Sequence, residues 1–124
     1  MPVSGKMYCL MERLVFSLLS YDDYSKRLFP GHVKSCFFFT MNAPKMFANT
    51  GYRGMMKQYA DAMKRLGGSS EYYAACDTLQ FEDYSHFASG TFNEAHKRKV
   101  RQNQFPKDLQ AAYDIGLRLT KKAR

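Results

Sequence analysis

The sequence predicts an α/β fold in which helices cover a parallel sheet. Helix-period segments and strand-type segments alternate along the chain, the order expected of a layered α/β architecture. The strand-type segments are continuous apolar runs, a pattern that marks parallel strands buried on both faces rather than half-solvated antiparallel ones. The chain has 124 residues and 14.4 kDa, which allows one ordinary core. With 45% apolar and 24% charged residues it matches globular proteins, and wholly disordered or low-complexity classes are excluded.

The first element is a helix. Met7, Leu10, Met11, Leu14, Val15, Leu18 and Leu19 step by three and one, a single apolar stripe from Ser4 to about Ser20, ending near Tyr21. Ser4 is the expected N-cap, and Glu12 and Arg13 fall on the wet face. Residues 21–31 are rich in turn formers and read as a connection packed through Tyr21, Tyr24 and Phe29. Val33 to Met41, with Cys36, Phe37, Phe38 and Phe39 between Gly31 and Asn42-Ala43-Pro44, reads as a strand buried on both faces. Tyr52, Met55, Met56, Tyr59, Met63 and Leu66 then lie at helical spacing, and Gly67-Gly68 is the stop.

Glu71 to Leu79 is the second strand. Phe92 to about Asn103 is strongly charged and reads as an exposed helix or arm. Phe105-Pro106 starts a last helix, because proline suits the first helical position, and Leu109, Ala112, Tyr113, Gly116 and Leu117 or Leu119 carry its stripe. The tally is two clear strands and about four helices, too few strands for a sheet covered on both sides.

Charge is unevenly placed. Residues 1–91 carry ten basic and eight acidic side chains, whereas residues 92–124 carry nine and three. The densest cluster, Lys97-Arg98-Lys99-Val100-Arg101, could meet nucleic-acid phosphates or the extra phosphate of NADPH. No helix-turn-helix spacing, zinc-ligand set or stacking motif accompanies it, so a solvated helix face is expected and nucleic acid is not.

Cys9, Cys36 and Cys76 form no CxxC pair and lie in apolar segments, so buried inert thiols are expected, with no disulfide framework and no metal site. His32, His86 and His96 have no partner at a catalytic interval, and His32 and His96 read as surface residues. Asp22-Asp23 and Glu82-Asp83 read as turn and cap residues. No GxSxG, HExxH, P-loop or dinucleotide fingerprint occurs, and no catalytic side chain is assigned. No apolar run reaches the roughly 18 to 20 residues of a membrane span and no signal-peptide pattern opens the chain, which points to the cytoplasm.

Four segments in order carry a family likeness: Val3-Ser4-Gly5-Lys6-Met7 leading into Leu10-Met11-Glu12-Arg13-Leu14; Phe37-Phe38-Phe39-Thr40-Met41-Asn42-Ala43-Pro44; Asp77-Thr78-Leu79-Gln80-Phe81-Glu82-Asp83-Tyr84; and Gln104-Phe105-Pro106-Lys107-Asp108-Leu109. Together they resemble the C-terminal part of the flavodoxin-like NAD(P)H-dependent oxidoreductases, the FMN-reductase and iron-sulfur flavoprotein group. The resemblance implies the C-terminal half of a doubly wound five-stranded parallel sheet, spanning residues 1–124 as a single partial domain.

It implies FMN as cofactor and NAD(P)H as donor. Val3, Ser4 and Gly5 would be the tail of one ring-binding loop, and Thr40, Met41, Asn42 and Ala43 would be another, both at carboxyl ends of strands where open α/β sheets hold ligands. The family's phosphate loop and first strands have no counterpart here, and Met1-Pro2 stands where a preceding loop would end. The expectation is therefore a truncated form with impaired flavin binding, self-associating as a homo-oligomer or paired with a companion chain. A non-enzymatic remnant or interaction module is the alternative, with a basic nucleic-acid-binding protein behind both.

Overall fold

A computed structural model describes residues 4–121. It opens with helix α1 (Gly5–Phe16), whose Ser4 cap accepts from the Met7 N–H at 3.3 Å, as the spacing predicts. The helix stops earlier than its apolar stripe. Ser17 Oγ donates to the Arg13 carbonyl at 2.8 Å, and Leu18 and Leu19 donate to Val15 and Phe16, closing the last turn with short-range bonds. Leu19 then bridges Arg27, and the Asp23 carboxylate accepts from the Ser25 N–H and hydroxyl, which holds the connection as an Asx turn.

Strand β1 (Val33–Thr40) is followed by a single turn of helix, α2 (Lys45–Phe47), a π-helical turn (Ala48–Tyr52), helix α3 (Arg53–Met63) and a 3₁₀ turn (Lys64–Leu66). Gly67 ends this crossover at φ +82°, the left-handed geometry that makes glycine the usual stop. Strand β2 (Gly67–Ala75) therefore begins and ends four residues before the segment read from the sequence.

β1 and β2 pair in parallel with a constant offset of 35 residues. Ser35 Oγ meets Ser70 Oγ at 2.9 Å, and the Phe38 and Tyr73 rings lie 6.4 Å apart. Gly68 pins the register: a Cβ there would stand 2.2 Å from the Val33 carbonyl oxygen, so only glycine fits. The continuous apolar run predicts burial on both faces, but only Phe39 of β1 is buried and Phe38 is half exposed. A strand needs neighbours and covering helices to bury both faces, and β1 has one paired strand.

After a 3₁₀ turn (Tyr84–His86), helices α4 (Glu94–Asn103) and α5 (Phe105–Thr120) complete the described chain, with Pro106 in the first turn of α5 as predicted. Among the described residues the architecture is α/β, with a two-stranded parallel sheet and four helices of ten residues or more. None of the described helices is long and apolar enough to cross a membrane.

The chain divides into two compact units. The first takes in the residues up to Phe37 together with Tyr52–Tyr72, and its core is Met11, Met56, Ala60 and Leu66. The second takes in Phe38–Gly51 and the residues from Tyr73 onward, with Phe39, Ala48, Ala75, Tyr84 and Ile115 buried.

Candidate functional site

The carboxyl ends of β1 and β2 lie in the second unit, and the loops that leave them are stitched together. The Met41 N–H donates to Ala75 O at 3.0 Å, the Asp77 N–H to Ala43 O at 2.9 Å, and the Thr78 N–H to Met41 O at 3.1 Å. Asp77 adopts φ +57°, a conformation that aspartate tolerates better than most residues.

Helix α4 closes this arrangement. Asn93 caps it by accepting from the His96 N–H at 2.9 Å, and Glu94 pairs with Arg98, whose guanidinium also donates to the Glu82 carbonyl at 2.9 Å. On the opposite side Lys97 turns inward. Its ammonium donates to the Asp77 carboxylate and to the Asn42 carbonyl, while His96 Nε2 contacts the other Asp77 oxygen. One carboxylate thus joins two consecutive residues of α4 to the loop after β2, and Lys97 also holds the loop after β1.

This corrects one expectation. The charged segment reads as a solvated face, yet Lys97 is only 3% exposed. His96 sits at the surface as expected, and it is the partner of a carboxylate 19 residues away. A second correction concerns the thiols: Cys9 is exposed, because α1 buries only Met11 of its stripe, while Cys36 and Cys76 are partly buried. Asp83 plays the capping role expected of it, accepting from the Ser85 N–H at 2.9 Å.

Burial works to raise the Asp77 pKa, but hydrogen bonds from Lys97 and His96 outweigh it and hold the carboxyl below its ordinary range. Asp77 is therefore ionised at neutral pH, and the ammonium beside it is compensated. Burial pushes the Cys76 thiol up, keeping it protonated and a poor nucleophile. Burial, followed by the hydrogen bond that Tyr73 donates to Asp108 at 2.8 Å, raises the Tyr73 phenol to about 12.

Two cavities flank the strand ends. A cleft of about 620 Å³ is walled by Pro44, Phe47 and Phe92 with Asn42, Asp77, Asn93, His96 and Lys97. A smaller one, about 240 Å³, lies among Thr40, Cys76, Thr78 and Asp108. The loop assigned to flavin contact is thus divided: Asn42 and Ala43 line the larger cleft, Thr40 the smaller, and Met41 is occupied with pairing the two loops. Ser4 and Gly5 belong to the first unit, where Ser4 is engaged as the cap of α1, and Val3 lies outside the described residues. The sequence reading misses Asp77, His96 and Lys97 as members of one site.

Asn42 Oδ1 is buried and has no hydrogen-bond partner among the described residues. An unmatched buried acceptor costs about 1–3 kcal/mol, and this oxygen is sealed from solvent by the protein around it. Phe47 and Phe92 give the larger cleft an aromatic lining. Among the described residues, no group of three His, Cys, Asp or Glu side chains is placed to hold a metal ion.

Comparison with protein-family models, curated proteins and solved structures finds no match to this chain.

Proposed function

We propose that the chain is a flavodoxin-like protein related to the FMN-dependent NAD(P)H oxidoreductases, and that the cleft beside Asn42 receives the flavin ring. The observation that carries this reading is the position of the cleft. It opens at the carboxyl ends of two parallel strands joined by a helical crossover, the place where open α/β sheets bind cofactors. Asn42 and Ala43, assigned to flavin contact by resemblance, line it.

FMN, when bound, would supply the chemistry by accepting a hydride from a nicotinamide and passing the electrons on. The chain's own contribution is placement. Lys97 and Asp77 fix the two loops, and Pro44 and the two phenylalanines offer apolar walls. The test is an absorbance titration of FMN with the full chain. Saturable perturbation of the flavin bands that weakens in a Phe47→Leu variant supports the reading, and unchanged bands up to millimolar chain overturn it.

A specific observation favours the second reading, an interaction module. Helix α5 exposes Leu109, Tyr113 and Leu117 at four-residue intervals, a stripe that a partner chain could cover.

A further inference from the structure

Basic side chains from two separate segments gather around one hollow in the first unit. Its volume is about 390 Å³, and its lining includes Lys26 and Arg27 from the connection after α1 and Lys64 and Arg65 from the 3₁₀ turn after α3. Among the described residues, Asp61 is the one carboxylate in this lining, and the Lys64 ammonium takes it at 2.6 Å. Lys26, Arg27 and Arg65 have no acidic partner among the described residues. Both segments are held in place. Arg65 Nη1 donates to the Tyr24 carbonyl at 3.4 Å, and the connection is fixed by the bridge from Leu19 to Arg27 and by the Asx turn at Asp23. Gly67 makes room for Arg27: a Cβ there would stand 1.7 Å from Arg27 Nη1, so the guanidinium lies against the glycine. The end of a helix attracts cations, which accounts for Lys64 and Arg65 after α3. It does not account for Lys26 and Arg27, because the carbonyls that close α1 are already matched by Ser17, Leu18 and Leu19.

We infer that this hollow binds the phosphate group of a small phosphorylated molecule. Uncompensated like charges held together repel one another, and a dianion among Lys26, Arg27 and Arg65 turns that repulsion into attraction. A guanidinium presents a planar fork of N–H donors that matches phosphate oxygens, and the bond to Tyr24 occupies only part of the Arg65 set. A carboxylate would bring about half the charge of a phosphate monoester. The cations come from two segments and line one hollow, instead of forming a row across a surface, which favours a compact phosphate over the extended backbone of a nucleic acid. The inference goes beyond the flavin reading: the hollow shares no lining residue with the cleft beside Asn42, and it stands by the start of β2, not its carboxyl end.

The experiment titrates inorganic phosphate into the labelled full chain, followed by nitrogen–proton correlation spectra, with sodium chloride at matched ionic strength as the control. Saturable shifts at Ser25, Lys26, Arg27, Lys64 and Arg65 are expected at roughly millimolar phosphate and not with chloride. Glycerol phosphate should move the same residues, since the hollow takes the phosphate of an ester. Lys26→Gln and Arg65→Gln, both at exposed positions, should each weaken binding about three- to fivefold, the size of one exposed ion pair, with the fold checked by circular dichroism. Lys99→Gln, at an exposed position of α4, should leave binding unchanged. Shifts reproduced by chloride, shifts that grow without saturating, or binding that neither glutamine variant weakens would overturn the inference. Inorganic phosphate bound while glycerol phosphate is excluded would overturn the assignment of an esterified phosphate. Short duplex DNA saturating these residues where phosphate does not would overturn it in favour of a polyanion surface.

Discussion

Lys97→Met removes the ammonium from the junction of three segments and leaves a side chain of similar length. The Asp77 carboxylate, mostly buried and on a left-handed backbone, then loses its main cation, and the Asn42 carbonyl loses a donor. Breaking a buried pair from one side costs about 3–5 kcal/mol, because the remaining charge stays desolvated. His96 remains beside Asp77 and offsets part of this, so the lower end, about 3 kcal/mol, is expected. Urea unfolding followed by circular dichroism measures it. Asp77→Asn should be costly for the same reason, and the double variant Lys97→Met with Asp77→Asn should lose clearly less than the sum of the two single losses.

Acid adds an independent check. The folded Asp77 carboxyl titrates below its ordinary value of 3.8, so its stabilisation is complete above that pH and disappears as pH falls through the lower folded value. In Lys97→Met this contribution should shrink and the acid transition should move to higher pH. Single losses below about 1 kcal/mol, or strictly additive ones, would refute the junction as described.

Three further outcomes follow. Gly68→Ala must push the two strands apart at Val33, at a cost of about 1–3 kcal/mol or more, read as a lower thermal midpoint; an unchanged midpoint would mean the register is not pinned there. Tyr73→Phe removes one of the two hydrogen bonds to the buried Asp108 carboxylate, the other coming from Gln104, and should cost about 1–3 kcal/mol; in the unaltered chain, spectrophotometric titration should find one tyrosine that ionises only near pH 12. Sedimentation at low micromolar concentration should detect self-association, because α1 exposes Met7, Tyr8, Leu10 and Phe16 and α5 exposes Leu109, Tyr113 and Leu117; a sharp, concentration-independent monomer would contradict it.

Local chemistry made several elements legible in the sequence. Ser4 caps, Pro106 starts α5 and Gly67 stops the crossover because each depends on a residue's own backbone preferences or on partners within a turn. The alternation of helix and strand, and the parallel pairing, were legible for a similar reason: apolar runs and connection length constrain them.

The junction at Lys97 was not legible. Its partners lie 20 and 55 residues away, and a lysine within Lys97-Arg98-Lys99 carries no mark of facing inward. The faint signal available was spacing: Lys97, Val100 and Gln104 share one face of the helical repeat, and Lys97 and Val100 are the more buried positions there. Asp77 likewise needed its left-handed backbone, which a Cys-Asp-Thr tripeptide permits without specifying. The overestimate of burial at Phe38 and Cys9 has one cause, since apolar pattern reports a preference for burial and the number of neighbours decides whether it is met.

The most direct test of a flavin ring in the cleft at the strand ends is a nitrogen–proton correlation spectrum of the labelled chain titrated with riboflavin. The account predicts saturable shifts concentrated at Asn42, Ala43, Asp77, Phe92, Asn93 and His96, the backbone positions around the cleft. Shifts confined to other residues, or a spectrum unmoved at saturating riboflavin, would contradict it.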